Sequence, residues 1–249
     1  MLGKFDIALF VSTSALELVI AVAILRQRSY GQFKMFFIYT CYAALAELCI
    51  VFAAAVSSGW RYFTIYWGIQ VIFTILALLA MYESFTTVLQ PYSRGQWWLR
   101  WQIPALVLLI AVLVTWRSYE HAPVQASPVM VTFISFYLAA DYIVAAVYGL
   151  FMVHVLYRGT NWRRYPFGIM QGFGLFGVVG AVADLLRSDF GKHMSLVFGY
   201  APALAYILGC VVWIVTFTKP EPIPPRPRSP INLDELLVTL RRLRKIVKR

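Results

Sequence analysis

Seven separate stretches of this chain stay apolar for about 18 residues or more, at approximately 6–25, 34–56, 63–90, 99–116, 129–157, 165–186 and 194–217. A hydrocarbon core of roughly 30 Å takes about 20 helical residues, so each stretch is long enough to cross it. Open backbone cannot face lipid, which leaves helices or a closed barrel. The runs are continuously apolar and do not alternate at period two, so barrel strands are excluded. Composition agrees: 61% of the 249 residues are hydrophobic and only 13% are charged, too few for the polar shell of a water-soluble enzyme. The sequence therefore predicts an all-α polytopic membrane protein, a seven-transmembrane-helix bundle over residues 1–218. Glu17 interrupts the first run and no small-x-small cleavage site follows, so that run reads as a span and not as a signal peptide. Runs three and five exceed the bilayer requirement and are expected to tilt or project.

Basic residues set the expected orientation. Arg26, Arg28 and Lys34 flank loop one, Arg94 and Arg100 loop three, and Arg158, Arg163 and Arg164 loop five. Nine more follow the seventh span, whereas the opposite face has only Lys4, Arg61, Arg117, Arg187 and Lys192. The positive-inside rule then puts the N-terminus outside and the C-terminus in the cytoplasm of a bacterial inner membrane. The net charge of +11 is accounted for by orientation and tail, with no nucleic-acid footprint implied. Trp60, Trp67, Trp97, Trp98, Trp101, Trp116 and Trp162 fall near span ends, where indoles sit at the headgroup level.

No lysine or arginine lies deep in a span, but acids do: Glu17, Glu47, Glu83, Asp141 and, nearer the outer end, Asp184. A carboxyl at a helix centre costs about 2.5–3.5 kcal/mol on insertion scales, so the deep ones should face the bundle interior. Counting about 1.5 Å per residue, Glu17, Glu47 and Asp141 reach about the same depth on three helices. They are expected to meet there. Thr13 sits one turn before Glu17, alanines surround Glu47, and Tyr137 and Tyr148 flank Asp141 at helical spacing. One reading is a shared pocket for a cation, a proton or a basic ligand group, with Glu17, Glu47, Asp141, Tyr137 and Tyr148 as its residues. The other is that each acid is hydrogen-bonded interhelical glue. Glu83 and His154 lie at a similar level near the cytoplasmic side, where a Glu–His contact would couple protonation to helix position. With Asp184 they form a secondary set.

The acids also recur. Ala-acid pairs stand at Glu47 and Asp184 in spans two and six, and Glu17 and Asp141 occupy spans one and five. A 3+1+3 chain with span four as inverter has this form.

After the seventh span, residues 219–230 (KPEPIPPRPRSP) form a proline-rich linker. Residues 231–249 read as a basic amphipathic helix: Asn232 and Glu235 make a capping-box variant, and leucines from Leu233 to Leu243 form one stripe. Arg241, Arg242, Arg244, Lys245, Lys248 and Arg249 crowd the remaining surface. Such a helix lies on anionic inner-leaflet lipids, or else docks a protein partner or pairs as a homodimer.

Several chemistries are excluded. The seventh span holds no lysine, so no retinal Schiff base can form, and no cofactor is expected. HExxH, GxSxG and Walker patterns are absent, and three cysteines inside apolar runs make neither a disulfide framework nor a metal site. The glycine pattern at Gly172, Gly174 and Gly177 has no strand before it, so it reads as close helix packing and not as a dinucleotide fingerprint. The chain is expected not to be an enzyme.

The stretch Tyr82-Glu83-x-Phe85-x-x-Val88-x-x-Pro91-Tyr92, following Tyr66-Trp67, resembles bacterial seven-helix integral membrane proteins of uncharacterised role. Those in turn are similar to the seven-helix sensory module of some histidine kinases. The resemblance implies a sensor-like bundle without its own output domain, and it transfers no active residues. The expected function is a non-enzymatic membrane sensor or accessory protein with an intramembrane acidic site. The alternative is a small proton- or cation-coupled transporter.

Overall fold

Each apolar run forms a helix. The structure, a computed structural model, describes residues 4–89, 98–120, 128–158, 164–190 and 195–220. It comprises α1 (Lys4–Arg26), a single 3-10 turn (Ser29–Gly31), α2 (Lys34–Val56), α3 (Gly59–Leu89), α4 (Trp98–Glu120), α5 (Pro128–Arg158), α6 (Arg164–Phe190) and α7 (Ser195–Thr218). All seven helices are long and apolar enough to cross a membrane, as in a multi-pass membrane protein. The proline-rich linker and basic helix expected beyond Pro220 lie outside the described residues.

Three helix ends differ from the apolar boundaries, the last being that of α6, which runs on through Arg187, Ser188 and Asp189 to Phe190. α3 begins at Gly59, whose φ of 60° lets the chain reverse within two residues of α2. Trp60, Arg61 and Tyr62 are thereby drawn into the helix ahead of the greasy run. α4 continues through Arg117, Ser118, Tyr119 and Glu120, since propagating a formed helix needs backbone bonds and not hydropathy.

Helices α1, α2, α3, α6 and α7 close into a ring, each packed on the next and α7 returning to α1. α5 packs on α6 and α3, and α4 packs on α5. α1 and α7 run parallel: Tyr200 donates to Asp6 at one end (3.4 Å), and Gln27 donates to the Thr218 carbonyl at the other (3.4 Å). The end carrying Arg26, Lys34, Arg164 and Lys219 is called the basic end below.

Small residues make this packing possible. On α6, a Cβ at Gly168 or Gly172 would collide with Thr216 or Trp213 of α7, and one at Gly174 or Gly177 with Tyr148 or Val144 of α5. The glycines thus serve two opposite neighbours, which matches the close-packing reading of that pattern.

Toward the basic end the interior is filled by rings. Phe36, Phe173, Trp213 and Phe217 are fully buried, with Phe36–Trp213 centroids 5.2 Å apart and Phe173–Trp213 5.0 Å apart. The Trp213 indole donates to the Ile169 carbonyl (3.1 Å), so its polar edge is satisfied where it lies against α6.

Candidate functional site

The opposite half of the bundle is hollow. A cavity of about 340 Å³ lies among α1, α2, α3, α5, α6 and α7. Its polar lining includes Thr13, Glu47, Gln70, Asp141 and Tyr206, and eight of its lining residues are aromatic. No lysine, arginine or histidine lines it among the described residues.

The deep acids do not all line the cavity. Glu47 on α2 and Asp141 on α5 line the cavity, together with Tyr137. Glu17 on α1 is completely buried and does not line it. It is joined to the wall through Tyr206, whose hydroxyl donates to Glu17 Oε1. Tyr206 also lies 3.0 Å from the Tyr39 hydroxyl, and either of the two can donate. Tyr39, Tyr206 and Glu17 thus form one connected chain of hydrogen-bonding groups. Glu17 Oε2 is buried and has no hydrogen-bond partner among the described residues.

Glu47 Oε2 is hydrogen-bonded to the Thr13 hydroxyl. Thr13 also lies 3.0 Å from the carbonyls of Leu9 and Phe10 on its own helix. A hydroxyl has a single proton and can also accept. Thr13 can therefore donate to Glu47, or donate to its own backbone and accept from a protonated Glu47, without moving. Ser14 ties the same helix pair together by donating to the Ala44 carbonyl (2.8 Å).

Asp141 is 9% exposed and has no hydrogen bond among the described residues. Its Oδ2 lies only 2.7 Å from where a Cβ on Gly180 would sit, so the glycine leaves room for the carboxylate at the α5–α6 contact. Its nearest acidic influence is Asp184, and that of Glu17 is Glu47.

The secondary residues fall elsewhere. Asp184 borders a separate groove of about 730 Å³ between α4, α5 and α6, shared with Arg117 and Tyr142. That places a basic side chain, Arg117 from the end of α4, in the same groove as this acid. Tyr148 does not line the cavity; its ring covers Gly174. Trp67, expected at headgroup level, stands in the cavity wall and stacks on Phe133 at 5.1 Å.

Glu83 and His154 each take other partners. Glu83 Oε1 accepts from the Lys34 amide (2.9 Å), and Oε2 from those of Met35 (3.0 Å) and Phe36 (3.3 Å). These are the first N–H groups of α2, which its own chain does not cap. His154 Nδ1 donates to the Leu150 carbonyl (2.9 Å), and its ring packs on Phe85 at 5.6 Å. The clue to the cap was present in the sequence: Phe33-Lys34 opens α2 without a Ser, Thr, Asp or Asn to close it. Tyr206, Tyr39 and Gln70 were also missed. Their signal is a hydroxyl or amide inside an apolar run, which needs a partner once buried. The six basic tail residues, Arg241 to Arg249, lie outside the described residues.

Comparison with protein-family models, curated proteins and solved structures returns no match to this chain.

Proposed function

We propose that the chain is a non-enzymatic, sensor-like or accessory protein of a bacterial inner membrane whose interior cavity takes a small ligand or a proton. One observation carries this reading: a cavity walled by Glu47 and Asp141, linked to buried Glu17 through Tyr206, with no basic residue in its lining among the described residues. Keeping unneutralised acids in an apolar bundle is costly, and that cost is ordinarily borne at pathways and binding sites. In this reading the N-terminus lies outside, the cavity faces the outer half, and the basic end faces the cytoplasm. The tail then meets anionic lipid, a partner or a second copy of the chain. The resemblance at Tyr82 to Tyr92 supports the sensor class. The test combines ligand or pH change with a chain lacking residues 231–249. If the response of the membrane-embedded protein and its capture of partners are the same with and without the tail, the sensor reading falls.

A second reading, a proton- or cation-coupled transporter of 3+1+3 form, is favoured by a specific pattern. The contacts α1 to α2, α2 to α3 and α1 to α7 are matched by α5 to α6, α6 to α7 and α5 to α3. The acid pairs Glu17/Glu47 and Asp141/Asp184 occupy corresponding helices. Purified protein in vesicles with an imposed pH gradient decides between the two. Flux that collapses in Glu17→Gln, Glu47→Gln and Asp141→Asn supports transport, and no flux in the unmutated protein removes it.

A further inference from the structure

We infer that the cavity ligand is a small protonated amine, one that carries at least one N–H and an apolar or aromatic body. This rests on reading the cavity as a ligand site and specifies the chemistry it selects.

Three observations converge. The first is charge. Glu47 on α2 and Asp141 on α5 border the cavity, and no lysine, arginine or histidine shares its lining among the described residues. An anion would meet carboxyl groups and no counter-charge.

The second is hydrogen bonding. Asp141 is 9% exposed, lines the cavity, and has no donor among the described residues. A carboxyl bordering a largely apolar cavity gains from a donor that enters beside it. Glu47 uses Oε2 on Thr13, which leaves Oε1 to take a proton from elsewhere. Both acids call for a donor, and a quaternary ammonium has none to give.

The third is the aromatic lining. Tyr66, Trp67, Phe73, Phe136, Tyr137 and Tyr206 are among the wall residues, with Trp67 and Tyr137 edge-to-face at 6.3 Å. Ring faces attract cations electrostatically and also cover an apolar body. A bare metal ion fits poorly. Hard cations take about six or more oxygen ligands, and no group of three or more His, Cys, Asp or Glu able to hold one occurs among the described residues. The volume of about 340 Å³ is at the small end of ligand pockets, which run from about 300 to 1,000 Å³.

The experiment uses the full chain in lipid nanodiscs and four probes: 2-phenylethylamine, 2-phenylethanol, 3-phenylpropanoate and tetramethylammonium. Equilibrium dialysis should show saturable binding of the amine. The alcohol and the quaternary ion should bind at least about ten-fold more weakly, because each lacks the charge or the donor. The carboxylate should not bind. Asp141→Asn and Glu47→Gln should each weaken the amine by about ten-fold or more, and the probe series on the unmutated protein tests the same point if either variant misfolds.

An alcohol that binds as tightly as the amine overturns the inference, and so does an amine affinity unchanged in both variants. If the carboxylate or alcohol binds and Ala46→Trp abolishes it, the amine class falls while the site stands. If no probe binds but a cysteine at Ala140→Cys is reachable by a water-borne thiol reagent, the amine class alone falls. No binding together with an unreachable cysteine removes both the ligand class and the site.

Discussion

The two halves of the bundle are built from the same seven helices and differ sharply in how they fill their centre. Toward the basic end, Phe33, Phe36, Phe85, Phe151, Phe173, Trp213 and Phe217 are fully buried. Polar groups there include the Trp213 indole on Ile169 and Glu83 on three amides, both satisfied, whereas Gln102 Oε1 is buried with no partner among the described residues. Toward the other end, small residues such as Ala46, Ala140 and Ala203 border open space together with two carboxyls. Close packing and open volume are thus separated along the bundle axis. The dense half fixes where the helices stand, and the hollow half is free to carry polar groups that tight packing would exclude.

The sharpest way to break this contrast is to open the dense half. Trp213→Ala removes the ring on which Phe36, Phe173 and Tyr39 converge and should cost about 3–5 kcal/mol. Thermal unfolding of the detergent-solubilised protein reads this as a large fall in midpoint. A midpoint within a few degrees of the unmutated protein would mean that the centre there is already loose.

Next is the cap. Glu83→Ala strips three α2 amides of their acceptor and should destabilise by about 1–2 kcal/mol, with Glu83→Gln losing less because one oxygen remains. Equal losses in the two variants would assign the effect to charge and not to capping.

Accessibility sharpens the contrast directly. With Cys41, Cys49 and Cys210 replaced by alanine, a cysteine at Ala140→Cys should react with a water-soluble methanethiosulfonate at least about ten-fold faster than one at Ala80→Cys, since Ala140 borders the cavity and Ala80 is fully buried. Similar rates would erase the difference between the halves.

The smallest effect is expected at the cavity wall. Ala140→Val adds two carbons beside open volume and should shift stability by no more than about 0.5 kcal/mol. A loss of several times that would show the wall to be as tightly packed as the basic end.

Much of the fold is legible in the sequence because bilayer thickness converts directly into run length. The seven runs become seven helices, and the ends that depart most from the apolar boundaries are governed by backbone turning (Gly59) or by polar continuation (Arg117 to Glu120 and Arg187 to Phe190). Depth is legible for the same reason: counting rises places Glu47 and Asp141 on one level, and both line one cavity. Azimuth is not. In a water-soluble helix the polar side marks the outside, but here the outward-facing and core-facing sides are both apolar. Nothing in the local pattern around Tyr148 tells that it turns onto Gly174 while Tyr137 turns to the cavity. Glu83 shows a further limit, since its partners are backbone amides 47 to 49 residues away in sequence. A side-chain pattern cannot announce an amide.

The grip of Glu83 on the start of α2 has a mechanical consequence. At the other end of the same two helices, only Ser57 and Ser58 separate α2 from α3. The pair is riveted top and bottom, so parting α2 from α3 would mean breaking the Glu83 bonds or straining that short link. Opening of the hollow that spares this pair falls to the remaining walls, α1, α5, α6 and α7.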